Sequence, residues 1–300
     1  MRDYITSFCK ELAYPSEAEQ AILSAYDRIT ANQPAMTLFQ KYAELYRADQ
    51  LTDYSPVFPA LDETAELAGA HRYTVHLLFF ICLSQHTREL YEKKNIPYDI
   101  FYDTLSDLKC KLLECFKMYG IWGSFVAFWF PRFFDLTRFA LGRLQFETME
   151  FQGAYSKNGH VINPGDIVLN IHIPSGGALK REDCLASYRK AALFYKEYFT
   201  GRPTVFHCHS WLLYPKHREF LPPTSNILRF MEDFDIISSS IDHDHHDMWR
   251  IFYKENMTDL SALPRDTSLQ RAYADWMCKG NEVGDGTGVF FFDGGNILQA

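Results

Sequence analysis

The spacing of hydrophobic positions changes once along the chain. From Met1 to about Leu141 apolar residues recur roughly every three to four positions, the period of helices that bury one face. The pattern predicts helices over Arg2–Ala13, from Ser16 to about Thr30 with Glu19 at capping-box spacing, and over Pro34–Arg47. A loop with two prolines, Asp53–Pro59, precedes a short helix over Leu61–Ala70. His71–Lys93 is long and strongly apolar, and Pro97–Met118 follows with Leu105, Leu108, Leu112 and Phe116 at helical spacing. After Gly120 and Gly123 the helical pattern resumes over Phe125–Leu141, with Pro131 as a kink.

Beyond Gly142 apolar and polar residues alternate, the period of half-buried strands. Arg143–Phe151 sets Leu144 and Phe146 against Gln145 and Glu147. Asn158-Gly159 and Asn163-Pro164-Gly165 are turn signatures. Thr204–Tyr214 is a strand with His207 and His209 on one face and Cys208 and Ser210 on the other. Asn226–Phe234 and Thr267–Lys279 read as helices, and Asp235–Ile241 and Met248–Tyr253 as paired strands. Gly280–Gly288 reads as a glycine-rich loop before a last strand, Val289–Asp293. Strands outnumber helices here, so a mixed sheet with helices packed on it is expected. The fold class is α+β, an all-helical domain over 1–141 followed by a sheet domain over 142–300.

The second half is organised around Asp166–Phe199. In its strand Ile167, Leu169, Ile171 and Ile173 share one face; Asp166, Val168, Asn170 and His172 share the other. Pro174 to Leu179 breaks the ladder, and Gly176-Gly177 permits positive φ. From Arg181 the period becomes helical through Phe199. The first N–H groups of a helix have no intrahelical partner and sit at the positive end of its dipole, so such a turn can hold a phosphate. An ordinary strand-to-helix turn uses the same residues. The turn is neither GxGxxG nor a P-loop.

The formal charge of −8 and the lack of a long basic run argue against nucleic acid as the main partner. Seven dispersed cysteines without a CxxC suit a reducing compartment, and the charged N-terminal stretch is not a signal peptide; a cytoplasmic location is expected. No stretch makes a convincing membrane span.

Candidate chemistry falls in three places. His172, at a strand end beside the glycine turn, is placed for acid–base work or for a hydrogen bond at the sheet edge. His207 and His209 share a face, which suits either a metal or an outer polar surface. Asp242–Asp247 has the composition of a metal site but the position of a solvated turn, and no metal is expected there.

Leu141–Glu147 (LGRLQFE), Val168–Leu179 (VLNIHIPSGGAL), Cys184–Tyr195 (CLASYRKAALFY), His209–Pro215 (HSWLLYP), Ser225–Phe230 (SNILRF) and Leu263–Ala272 (LPRDTSLQRA) resemble a bacterial family of predicted acyltransferases. Its members pair a helical N-terminal domain with a GNAT-like C-terminal domain. The resemblance implies a GNAT-like mixed sheet flanked by helices, an acyl-CoA co-substrate and a small-molecule amine acceptor. It also implies that the pyrophosphate sits against Ile173, Pro174, Ser175, Gly176, Gly177, Ala178 and Leu179, on the backbone N–H groups of these residues other than Pro174, which has none. The usual GNAT signature, Arg/Gln-x-x-Gly-x-Gly/Ala, is replaced here by Pro-Ser-Gly-Gly-Ala-Leu. Within N-acyl transfer the catalytic candidates are Glu147 or His172 as base and Ser210 as hydrogen-bond donor or acid, with Cys184 a weaker nucleophile candidate. Two other classes are a non-catalytic GNAT-like ligand-binding module and a metal-dependent enzyme using His207 and His209.

Overall fold

The computed structural model describes residues 1–255 and 257–298, so position 256 and the last two positions of the 142–300 segment lie outside it. The chain divides into two compact units, Met1–Phe139 and Ala140–Ala300.

The first unit is helical: α1 (Arg2–Glu11), α2 (Ser16–Ala31), α3 (Gln33–Arg47), α4 (Val57–Ala68), α5 (Arg72–Lys93), α6 (Tyr98–Tyr119) and the single turn α7 (Pro131–Phe134). α5 is the hub. Every residue from Leu77 to Ser84 is buried, as expected of a helix that is apolar all round. α2, α3, α4 and α6 pack around it. His71, His76 and His86 are structural. The His71 ring accepts the Tyr73 N–H at the start of α5, His76 pairs with Asp62 at 2.9 Å, and His86 pairs with Glu89 at 2.8 Å. The expected helix over Phe125–Leu141 is not continuous. It breaks into a 3-10 turn at Ala127–Trp129 and α7, because Phe130, Phe133 and Phe134 turn inward, two of them onto Phe80.

β1 (Arg138–Ala140) lies at the junction of the units. The second unit continues with β2 (Gln145–Glu150), β3 (Tyr155–Lys157), β4 (His160–Ile162), β5 (Ile167–His172), α8 (Arg181–Phe194) and β6 (Thr204–Ser210). Then come α9 (His217–Phe220), α10 (Asn226–Met231), β7 (Asp235–Ile241), α11 (Trp249–Phe252), α12 (Ser268–Cys278), β8 (Gly284–Phe292) and β9 (Ile297–Leu298). Its main sheet runs β2-β5-β6-β8-β7, antiparallel except for β5 with β6, and β9 pairs with β8. β3 and β4 form a separate hairpin through Asn158-Gly159, both at positive φ, as a two-residue hairpin turn requires.

One face of the sheet is apolar and carries α8. Tyr188 is fully buried with its ring 5.3 Å from Phe206 and 4.9 Å from Phe290, and Phe146 also packs on Phe206. α8 ends at Phe194, and Lys196–Phe199 follows as a 3-10 turn, so the expected long helix is shorter by one turn. Met248–Tyr253 is not a strand. It folds as α11 and buries Met248, Ile251 and Phe252 against Tyr273 and Met277 of α12, which starts with a Thr267/Gln270 capping box.

The partner of β7 is instead β8, which begins inside the segment read as a glycine loop. Its glycines are there for close approach. A Cβ at Gly286 would sit 2.2 Å from the Leu213 carbonyl oxygen, and one at Gly288 would sit 2.7 Å from the Phe234 Cβ. Replacing Gly286 with alanine should therefore destabilise the protein by about 1–3 kcal/mol, the usual range for overpacking. Urea unfolding should show a lower midpoint with an unchanged slope. A midpoint equal to that of the wild type would show that the 3-10 turn Trp211–Leu213 moves aside freely.

Candidate active site

The other face of the sheet is polar, and its geometry follows from strand pairing. β5 stays in register with β2 to its end, the last pair being Gln145 with His172. Its parallel pairing with β6 covers Leu169 with Phe206 and Asn170 with His207. β6 runs on beside β8 to Ser210 with Gly286. Past Asn170, then, β5 follows β2 while β6 follows β8, and the two parallel strands part in the middle of the sheet.

Three side chains meet at that fork. Glu147 stands opposite Asn170 across β2 and β5, and His172 is two residues on, so period-2 alternation puts all three on one face. Glu147 Oε1 lies 2.7 Å from His172 Nε2, with both side chains largely buried. Asn170 Nδ2 is 3.2 Å from the same nitrogen, and Asn170 Oδ1 is 2.8 Å from His207 Nδ1. His207 is buried, and burial, followed by the neighbouring His209 and His172, holds its pKa down to about 4. Its imidazole is therefore neutral at physiological pH. Farther along, exposed His209 faces Thr287 Oγ1 at 2.9 Å and Asp285 at 3.6 Å.

Ser210 does not join this group. It points to the opposite face, where its hydroxyl accepts the Leu212 N–H and caps the 3-10 turn Trp211–Leu213. The alternation along Thr204–Tyr214 already indicates that orientation. Asn170 was missed as a site residue, although the alternation that places His172 also places it.

The turn from Ile173 to Leu179 leaves His172 and leads to α8. Ser175, Gly176, Gly177 and Ala178 are exposed, and Leu179 is buried. Arg143 lies behind it, its guanidinium donating to the carbonyl oxygens of Pro174 at 2.8 Å, Gly177 at 2.7 Å and Ala178 at 3.2 Å. The arginine engages three carbonyls and brings a positive charge to the turn. Gly177 has φ of +105°, so a side chain there strains the backbone itself, although a Cβ would meet nothing within 4 Å. α8 is anchored at its start by an ion pair between Arg181 and Asp233, and Asp233 also accepts from the Tyr188 hydroxyl at 3.0 Å. Cys184, in the first turns of α8, is buried, and burial pushes its thiol up to about 11. It is a packing residue rather than a nucleophile.

Asp242–Asp247 is a capped turn. The Asp242 carboxylate accepts the N–H groups of His246 and Asp247. Among the described residues no three His, Cys, Asp or Glu side chains converge as metal ligands would.

Residues 138–290 match the family described as the GNAT-like C-terminal domain, and residues 3–136 match the N-acyltransferase N-terminal domain. The chain belongs to the GNAT-like C-terminal domain family. This GNAT-like protein also resembles solved acyltransferase structures. One, in complex with decanoyl-CoA and teicoplanin, has a TM-score of 0.76 at 20% identity, covering 96% of this chain and 87% of the other. Another, a mutant in complex with octanoyl-CoA, has a TM-score of 0.75 at 21% identity, covering 97% and 88%. A third, with decanoyl-CoA, has a TM-score of 0.74 at 22% identity, covering 95% and 86%. No curated protein matches the sequence significantly. In this GNAT-like domain the forked pair β5 and β6, with a carboxylate–imidazole pair beside the fork, is the arrangement to be explained.

Proposed function

We propose that the protein transfers an acyl group from acyl-CoA to an amine nitrogen, with Glu147 and His172 acting together as the base. The observation that carries this reading is the 2.7 Å contact between Glu147 and His172 at the fork of β5 and β6. Family membership supports the reaction class, and the similar acyltransferase structures holding decanoyl-CoA or octanoyl-CoA support the donor.

The thioester enters at the fork, and the pyrophosphate rests on the turn Ile173–Leu179, next to the start of α8 and the charge of Arg143. The acceptor arrives as an ammonium and gives one proton to the Glu147–His172 pair. Its nitrogen then attacks the thioester carbonyl carbon, the C–N bond forms and the C–S bond breaks. The nitrogen loses its second proton and CoA leaves as a thiolate that takes one up. A histidine held by a carboxylate suits the first step, since the carboxylate stabilises the imidazolium that forms.

One similar structure holds teicoplanin, so the acceptor panel extends from small amines to amino groups on glycopeptides. The test is release of free CoA thiol from decanoyl-CoA and octanoyl-CoA in the presence of that panel, with the acylated amine identified by mass spectrometry. An amide product supports the proposal. Tight CoA binding with no amide from any amine would overturn it in favour of a ligand-binding module.

A further inference from the structure

We infer that Asn170 and His207 are positioning residues that decide where the proton of the Glu147–His172 pair resides. The inference rests on the proposed role of that pair and extends it to two side chains that act through His172.

An ionised carboxylate only accepts, so a 2.7 Å contact between Glu147 Oε1 and His172 Nε2 places a hydrogen on Nε2. Asn170 Nδ2, also a donor, stands 3.2 Å from that nitrogen. Two donors would then face each other. A half-turn of the carboxamide, whose two ends have nearly the same shape, removes the conflict. The amide oxygen then accepts from His172 Nε2–H, and the amide nitrogen donates to His207 Nδ1, 2.8 Å away on the other side. That arrangement requires His207 Nδ1 to carry a lone pair, which a neutral imidazole supplies in its Nε2–H tautomer.

The opposite orientation has an equally definite meaning. With Nδ2 toward His172, Nε2 must be the acceptor, and the shared proton moves to the carboxyl or to the other ring nitrogen. The amide of Asn170, the tautomer of His207 and the proton of His172 are therefore one coupled state. The fold supports the coupling. Asn170 is paired with Glu147 on one side and His207 on the other, at the last register before β5 and β6 part. Of the titratable groups beside His172, Glu147 from β2 meets it directly and His207 from β6 faces it across Asn170.

The test uses the 300-residue protein and two substitutions. Asn170→Ala removes the amide. It should lower kcat by about tenfold while the KM for decanoyl-CoA stays within about twofold, because the base is mispositioned while the donor site is kept. Asn170→Asp keeps the shape but sets a second carboxylate against His172. It should raise the pKa of the imidazole by about one unit and move the acidic limb of the kcat/KM profile to higher pH by the same amount. Nitrogen-15 NMR of the His172 ring gives a readout that needs no turnover, and both substitutions should change the tautomer signature. A packing role alone would lower stability equally in both variants and leave the ring signature and pH limb where they are, and that result would overturn the inference. The isosteric aspartate keeps the test available if the alanine variant folds poorly. If His172→Ala retains full activity, the proposed base is wrong. If His172→Ala is inactive while both Asn170 variants keep the wild-type ring signature and pH limb, the inference alone is wrong.

Discussion

Replacing His172 with alanine should lower kcat for acyl transfer by about 10²–10⁴-fold, the range a positioned general base supplies. CoA affinity, measured by calorimetry, should remain within about twofold of the wild type, because the side chain faces the fork and not the turn proposed to hold the pyrophosphate. Glu147→Gln should give a smaller loss, about 10²-fold. The amide keeps the contact but loses the charge that stabilises imidazolium. The two losses should not add, since the residues act as one unit. A variant lacking both should be no slower than His172→Ala alone. Losses that multiply would show two separate roles, and unchanged kcat in His172→Ala would remove the base from this site.

The second large effect is on stability. Arg181→Met should destabilise the protein by about 3 kcal/mol, the low end of the range for breaking a buried ion pair. Asp233 is almost completely buried, and with Arg181 removed its carboxylate keeps the Tyr188 hydroxyl at 3.0 Å as a partner. The low end applies because the guanidinium side chain is 39% exposed and water already shares in its solvation. Replacing both residues, Arg181→Met with Asp233→Leu, should regain most of the loss, since no charge is then left without its counterion. Urea midpoints of the wild type and the two variants decide it. Equal destabilisation in the single and double variants would show that the pair acts through packing and not through charge.

The site shows what alternation alone can and cannot reveal. Strand period 2 placed His172 on the face opposite Ile171 and placed Ser210 away from His207, and the structure has both orientations. It could not show that Glu147 and His172 meet, because that depends on the antiparallel register of β2 with β5, which no local pattern fixes. The Ile173–Leu179 turn was visible from its glycines. The role of Arg143 behind it was not, since Arg143 lies more than thirty residues earlier in the chain.

The fold departs from the local pattern where tertiary contacts override it. Met248–Tyr253 has a strand's composition but becomes helical against α12, whose Gln270 side chain donates to the Ile251 carbonyl. Gly284, Gly286 and Gly288 look like loop residues. They are strand residues at which neighbouring backbone or side-chain atoms approach too closely for a Cβ. Phe125–Leu141 carries helical spacing, yet burying Phe130, Phe133 and Phe134 breaks it into short turns.

The most direct measurement of the central claim is a crystal structure with a non-hydrolysable thioether analogue of decanoyl-CoA. The account predicts its pantetheine arm between β5 and β6 beyond Asn170, its pyrophosphate on the N–H groups of the Ile173–Leu179 turn, and the carbon standing for the thioester carbonyl within reach of the Glu147–His172 pair. An analogue bound elsewhere on the molecule, or bound at the fork with its reacting carbon on the side away from His172, would contradict it.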